Sequence, residues 1–311
     1  MTVTTQEIFE KYEVRKTKEQ KASFREYLLS YAKGQGYEAH EEQINKNAAN
    51  VVVGDPASAE VIYTAHYDTC AVMPFPNLIT PKCIPIYLIY QLFVTVAMLI
   101  VPILIMAIGS TLVYDKTGSE ALRAIPVVGG YALMWVIIML MINGPANKHT
   151  ANDNTSGITL LIDLMTDMPA EYRSKAAFIF FDLEERGTVG SKKYAQKHRN
   201  IAKTRPVINF DCVSDGKNVL FFAKKKAAEL EEKLNEAFKS NDVYSVEVAT
   251  KKIIYPSDQR NFDYGVGVSA LNKTKRGLLY MNKIHTPRDT VYDEENIEFL
   301  KNGAIEFTRI I

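Results

Sequence analysis

Two charge-free runs interrupt a chain that otherwise mixes apolar and charged positions throughout. No Asp, Glu, Lys or Arg occurs from Cys83 to Tyr114, 32 residues, or from Ala124 to Asn147, 24 residues. A bilayer crossing needs roughly 20 apolar residues, so each run is long enough to span one. Asp115-Lys116-Thr117-Gly118-Ser119-Glu120 separates them as a short polar turn. The pattern predicts a transmembrane helical hairpin over 84–143, with Pro102 tolerated as a kink in its first helix.

On either side of the hairpin the periodicity switches between 3.6 and 2. Thr17 is placed to cap a helix running to about Lys33, with Phe24, Tyr27, Leu28 and Tyr31 on one face and Gly34 as its stop. Asn50–Val53 and Val61–Ala65 read as strands, the second delivering His66-Tyr67-Asp68. After the hairpin, Asn152–Gly157 is a turn-prone cluster that opens a helix through Leu160, Leu161, Leu164 and Met165. A buried strand over Ala176–Phe181 is expected to stop at Glu184-Glu185, and Pro206–Asp211 ends in another carboxylate. A helix from Lys224 to about Phe238 and a strand over Val243–Val248 follow. A loop through 257–262, a last strand at Gly277–Tyr280 and a closing helix from Asp293 complete the chain. Strands alternating with helices predict an α/β fold: a three-layer, mostly parallel, doubly wound sheet carrying the inserted hairpin. Residues 1–83 and 144–311 would form one discontinuous catalytic domain.

Composition narrows the function. Lys plus Arg number 37 against 36 Asp plus Glu, leaving a formal charge of +1, so no excess of positive charge points to nucleic acid. Cys70, Cys83 and Cys212 form no ligand-spaced pair and no disulfide framework, which suits a reducing compartment. The first fifty residues are charged throughout and lack the marks of a signal peptide. A cytosolic start and two crossings would put both halves of the catalytic domain on the cytosolic side of a cell membrane. The flanking Lys82, Lys148 and His149 agree mildly with that orientation.

Glu184 and Glu185 are the candidate chemistry around which the rest gathers. Neighbours in extended backbone point to opposite sides, so one carboxylate could hold a metal while the other takes a proton from water. Three strands would place His66, this pair and Asp211 at the C-terminal edge of the sheet, where ligands of open α/β sheets bind. Asp153 from a helix-capping loop and His285 from a late loop make two imidazoles with four carboxylates. Nitrogen and oxygen ligands suit zinc, with manganese or cobalt as substitutes. Five ligands are too many for one catalytic zinc, whereas two ions roughly 3.5–4 Å apart would use them all.

His66-Tyr67-Asp68, Ala151–Gly157, Phe180–Gly187 with Gly190-Ser191, Asn209-Phe210-Asp211 and His285–Thr290 resemble the ordered motifs of the co-catalytic zinc aminopeptidases. That clan also contains glutamate carboxypeptidase and the glutaminyl cyclases, which work with one zinc. The resemblance implies that His66 and Asp211 complete one metal site, Glu185 and His285 the other, and Asp153 bridges them. Glu184 would be the general base, with Asp68 behind His66 and Tyr280 a candidate donor to the substrate carbonyl. It also implies peptide substrates and two Zn2+ per chain, in an enzyme that meets lipid through 84–143 and has oligomers open to it. A clan-related carboxypeptidase, a cyclase-like acyltransferase and a non-enzymatic membrane scaffold are the other readings. Two departures stand out: Gln259, where the family segment usually carries histidine, and Cys212, expected as a buried neighbour of Asp211 and not a ligand.

Overall fold

The computed structural model describes residues 2–311. Helix α1 (Val3–Tyr12) precedes α2 (Lys18–Gly34). Thr17 caps α2 through a reciprocal box: its hydroxyl accepts the Gln20 amide, and the Gln20 side chain accepts the Thr17 amide. Strands β1 (Ala39–Asn45) and β2 (Ala48–Val53) form a hairpin, of which only the buried second half is legible as a strand. Strand β3 (Val61–His66) then leads into the insertion.

The insertion is two long helices. The first comprises α3 (Ile84–Leu104), a π-helical turn at Ile105–Gly109 just beyond Pro102, and α4 (Ser110–Thr117); the second is α5 (Glu120–Asn143). The expected polar turn over Asp115–Glu120 shrinks to Gly118-Ser119. Gly118 takes a left-handed φ of 63° and Ser119 caps α5 by accepting the Leu122 amide, so helix runs up to both. Close approach holds the pair together: a Cβ on Gly130 would lie 2.3 Å from the Met106 side chain and 2.8 Å from the Pro102 carbonyl.

Beyond it come α6 (Ser156–Asp167), β4 (Ala176–Phe181), α7 (Val189–Lys197), α8 (Arg199–Thr204) and β5 (Val207–Phe210). Then follow β6 (Asn218–Ala223), α9 (Glu231–Ala237), β7 (Ser245–Ala249), β8 (Gly265–Lys273), β9 (Leu279–Tyr280) and α10 (Glu294–Ile310). The sheet order is β1-β2-β4-β3-β5-β8-β6-β7, with β9 paired to β8. Its centre, β4-β3-β5-β8, is parallel; the β1, β2 and β6 pairings bring antiparallel contacts at the flanks. Strands β6 and β8 have no counterpart in the sequence reading, which assigned no element to either stretch.

Alternation along the strands sorts the core into two layers. Tyr63, Phe178, Phe180, Ile208 and Phe210 pack under α2, α6 and α10, while Ile62, Ile179, Phe181 and Val207 pack under α7 and α8. The two ends of the insertion are stitched together against this frame. Ala71 bridges Ala146, the Val72 amide donates to the Pro145 carbonyl at 2.9 Å, and the Asn147 amide donates to the Cys70 carbonyl at 3.1 Å. The hairpin therefore rises from a point four residues past His66.

Candidate metal centre

Parallel pairing of β3 with both β4 and β5 brings their C-terminal ends to one edge. His66 is the last residue of β3 and Asp211 follows the last residue of β5. Glu184 and Glu185 arrive differently from the sequence expectation. Strand β4 stops at Phe181, and Glu184–Arg186 form a single 3-10 turn between left-handed residues, Leu183 at φ 60° and Gly187 at φ 89°. A turn, not strand alternation, separates the two carboxylates. Asp68 fixes that turn, its Oδ1 accepting the Glu184 amide at 2.9 Å and its Oδ2 the Glu185 amide at 3.2 Å. The same carboxylate lies 3.6 Å from Nδ1 of His66.

Asp153 is held from two sides in the loop before α6. Asp289 accepts the amides of Asn152 and Asp153 at 2.9 and 3.0 Å. Asn154 donates to the Phe210 carbonyl at 3.0 Å and accepts the amides of Gly157 and Cys212. Gly157 is required here, since a Cβ would come 2.5 Å from the Phe210 carbonyl and 2.6 Å from Asn154 Oδ1. So supported, Asp153 turns one oxygen each way: Oδ1 is 3.2 Å from Nε2 of His66, and Oδ2 is 3.1 Å from Nε2 of His285. Asp211 stands 3.6 Å from His66 Nε2, and Glu185 3.4 Å from His285 Nε2.

Two donor groups overlap at Asp153, beside a third of His66, Glu184 and Glu185. His66, Asp153 and Asp211 bring ligand atoms within 4.8 Å of one another, and so do Asp153, Glu185 and His285, with Cys70 as a fourth member. Cys70 is the one thiol in the second group and sequence spacing gave no hint of it; the stem of the hairpin carries it there. Burial and close neighbouring charges shift these groups against one another. Loss of water works against charge on His66, but hydrogen bonds to Asp153, Asp211 and Asp68 outweigh it and hold its pKa well above the usual range. His285, beside Glu185 and Asp153, is raised to about 9 in the same way. Burial pushes Glu185 up to about 8, and burial among neighbouring carboxylates lifts Glu184 well above its ordinary value. Glu185 Oε1 is buried with no hydrogen-bond partner. Converging nitrogen and oxygen donors, an orphaned carboxylate oxygen and a demand for positive charge fit a divalent cation such as zinc.

A small cleft opens above these residues, lined also by Tyr87 of α3 and by Tyr255. The Tyr255 hydroxyl is engaged, donating to the Asp211 carbonyl at 3.0 Å, and Tyr280 does not line this cleft. Gln259 lies beneath, buried, donating to the Tyr255 carbonyl at 2.9 Å. Cys212 is buried beside Asp211, its Sγ 3.1 Å from the carboxylate.

The fold is shared with solved structures at low identity. A Zn-dependent exopeptidase from Parabacteroides distasonis is 15% identical, with a TM-score of 0.58 over 99% of this chain and 98% of that one. The LapA aminopeptidase of Legionella pneumophila is 13% identical, TM-score 0.57, over 98% and 69%. A glutaminyl cyclase of Bacteroides thetaiotaomicron is 12% identical, TM-score 0.58, over 99% and 95%. No curated protein matches the chain by sequence. The profile described as Peptidase family M28 does match, over residues 137–306, more than half of the chain, and includes Asp153, Glu185, Asp211 and His285. The chain belongs to peptidase family M28.

Proposed function

We propose that this chain is a membrane-anchored aminopeptidase that uses two zinc ions per chain to hydrolyse N-terminal peptide bonds. The observation that carries the reading is the bridging posture of Asp153, whose two oxygens face the imidazoles of His66 and His285 separately at 3.2 and 3.1 Å. His66 and Asp211 would complete one site, and Glu185 and His285 the other. When bound, zinc supplies Lewis acidity toward the peptide carbonyl and a lowered pKa for water.

Glu184 is the remaining carboxylate at the centre, with a donor atom within 4.8 Å of donors on His66 and Glu185. It serves as the general base: it takes a proton from the attacking water as the carbon–oxygen bond forms and delivers it to the amine as the carbon–nitrogen bond breaks. Asp68 keeps Glu184 and Glu185 in register through their amides. Anchoring is supported by the insertion, whose two helices are long and apolar and have only 6% of their most hydropathic windows buried. A helix of that composition in a soluble core would be covered, so bilayer lipid is its natural solvent. We place the catalytic portion, 1–83 with 144–311, on the cytosolic side and 84–143 in the membrane.

The test is amino-acid release from peptides with free and with blocked N-termini, on zinc-loaded protein in detergent. Cleavage confined to free N-termini is expected, and Glu184→Gln should lower kcat by about 100- to 10,000-fold while both zinc ions are retained. Wild-type turnover in that variant would overturn the assignment of the base. A single zinc per chain with cyclisation of N-terminal glutamine would move the reading to a glutaminyl cyclase.

A further inference from the structure

A second cavity, of about 300 Å3, leads away from the metal centre toward the hairpin, with Glu185 and His285 at one end. Its far wall is made by the insertion. Tyr90, Val94 and Met98 of α3 face it at i, i+4, i+8 spacing, Met141 of α5 closes one side, and Phe75 the other. The opposite face of the same helix looks outward, with Ile89, Leu92 and Val96 exposed by 67%, 64% and 51%. The wall is fixed in place, not merely adjacent. The Tyr90 hydroxyl donates to the Pro76 carbonyl at 2.5 Å, and the Met73 amide donates to the His285 carbonyl at 2.8 Å. Among the described residues, the acidic or basic side chains lining the cavity are Glu185 and His285, both proposed metal ligands at its inner end. A charged side chain reaching the far wall of Tyr90, Val94 and Met98 would therefore find no counter-ion there. An apolar one would trade water for methionine, valine and aromatic surface.

We propose that this cavity is the specificity pocket of the enzyme, that it takes the large apolar side chain of the substrate residue at the scissile bond, and that the membrane helix α3 is its wall. The proposal rests on the peptidase reading above. Its volume, at the lower end of ligand pockets, suits one side chain of leucine, methionine or phenylalanine size. The anchor would then also be a recognition element, selecting apolar peptide ends at the place where such peptides leave a bilayer.

The experiment compares kcat/KM for peptides beginning with leucine, methionine, phenylalanine, alanine or lysine, in wild type, Val94→Trp, Val94→Ala and the lipid-facing Leu92→Trp. Leucine is expected to exceed alanine by at least about 10-fold, since burying three further carbons is worth that much or more. Val94→Trp should collapse this ratio by about 10-fold, Val94→Ala should shift preference toward phenylalanine, and Leu92→Trp should leave it unchanged. Lysine or alanine peptides cut as fast as leucine, or ratios untouched by either Val94 variant, would overturn the proposal. Binding of leucinamide and alaninamide to Glu184→Gln protein gives a readout independent of turnover. Tighter leucinamide binding that is lost in Val94→Trp, with no peptide cleaved by wild type, would sink the peptidase reading and keep the pocket. Equal binding of the two amides would remove the pocket whatever the hydrolysis shows.

Discussion

At Asp68 two backbone amides and an imidazole converge on one carboxylate. Its oxygens accept Glu184 and Glu185 at 2.9 and 3.2 Å, while His66 stands 3.6 Å away. Asp68→Asn would turn an amide NH2 toward one of two backbone donors, and the turn carrying Glu184 and Glu185 would have to move. The expected result is a 10- to 100-fold loss in zinc affinity by chelator competition, roughly what outer residues of metal sites contribute, with kcat/KM falling alongside. An unchanged zinc affinity would mean that the turn holds itself. The spacing of His66 and Asp68 suggested a partnership, on the expectation that residues two apart on a strand share a face. Strand β3 ends at His66, however, and it is the loop after it that brings the Asp68 carboxylate to 3.6 Å from the imidazole. The stronger duty, to a turn more than a hundred residues away, was not legible, since nothing in a short motif announces a side-chain bond to distant backbone. Asp289 escaped for the same reason, while Cys70 and Tyr87 reach the site only because the folded insertion carries them there. Arg15 escaped too: it is fully buried, reaching the Tyr67 carbonyl at 2.6 Å and the Thr155 hydroxyl at 3.2 Å, and so ties the N-terminal segment to the loops on both sides of the site.

Among the elements, helices and parallel strands with strong periodicity were legible, and those made by tertiary company were not. Strand β8 opens Gly265-Val266-Gly267-Val268, where Gly267 is needed because Gln259 lies 2.7 Å from where its Cβ would be. Two glycines in four residues read locally as loop, yet pairing with both β5 and β6 makes it a central strand. Helix α6 was found correctly from its apolar face, but its other side carries a cost. Asp163 lies half-buried on its flank with Asp167, near Glu298, and burial together with those carboxylates pushes its pKa up to about 6, with Lys301 opposing. A carboxyl whose folded pKa is raised holds its proton more tightly when folded. Its cost is therefore full above pH 6 and fades as pH falls toward the ordinary value of 3.8. Asp163→Asn should stabilise the protein by about 1–2 kcal/mol at pH 8 after allowing for solvent screening, read as a rise of a few degrees in Tm. The gap should close between pH 6 and pH 4; a gap that stays constant across that range would show that Asp163 is charged at no cost.

For the molecule as a whole, the stitched stem decides how the catalytic domain and the hairpin can be arranged about a bilayer. Both ends of the insertion leave the domain at one place, pinned by Cys70–Val72 against Pro145–Asn147. Lys16 donates to the Ile142 carbonyl at 3.3 Å and Arg186 to the Asn143 side chain at 2.7 Å, so the base of α5 is tied as well. Two helices rising from a common base would, on the proposed anchoring, put everything outside 84–143 on one face of the membrane. The first helical stretch is 34 residues long, roughly 50 Å at 1.5 Å per residue, against about 30 Å of hydrocarbon. If the hairpin spans a bilayer as proposed, the surplus would leave the first turns of α3, where Tyr87 and Tyr90 line the two cavities, at head-group depth. In a Cys83→Ser background, where the remaining Cys70 and Cys212 are buried, a cysteine at Thr117 should react with an impermeant maleimide only from one side of sealed vesicles. A cysteine at the exposed Ser240 should react only from the other. Labelling of both from the same side would mean that the hairpin lies along the membrane surface. The cavity mouth would then face the plane of the bilayer edge-on, and α3 would meet its substrate from water, not from lipid.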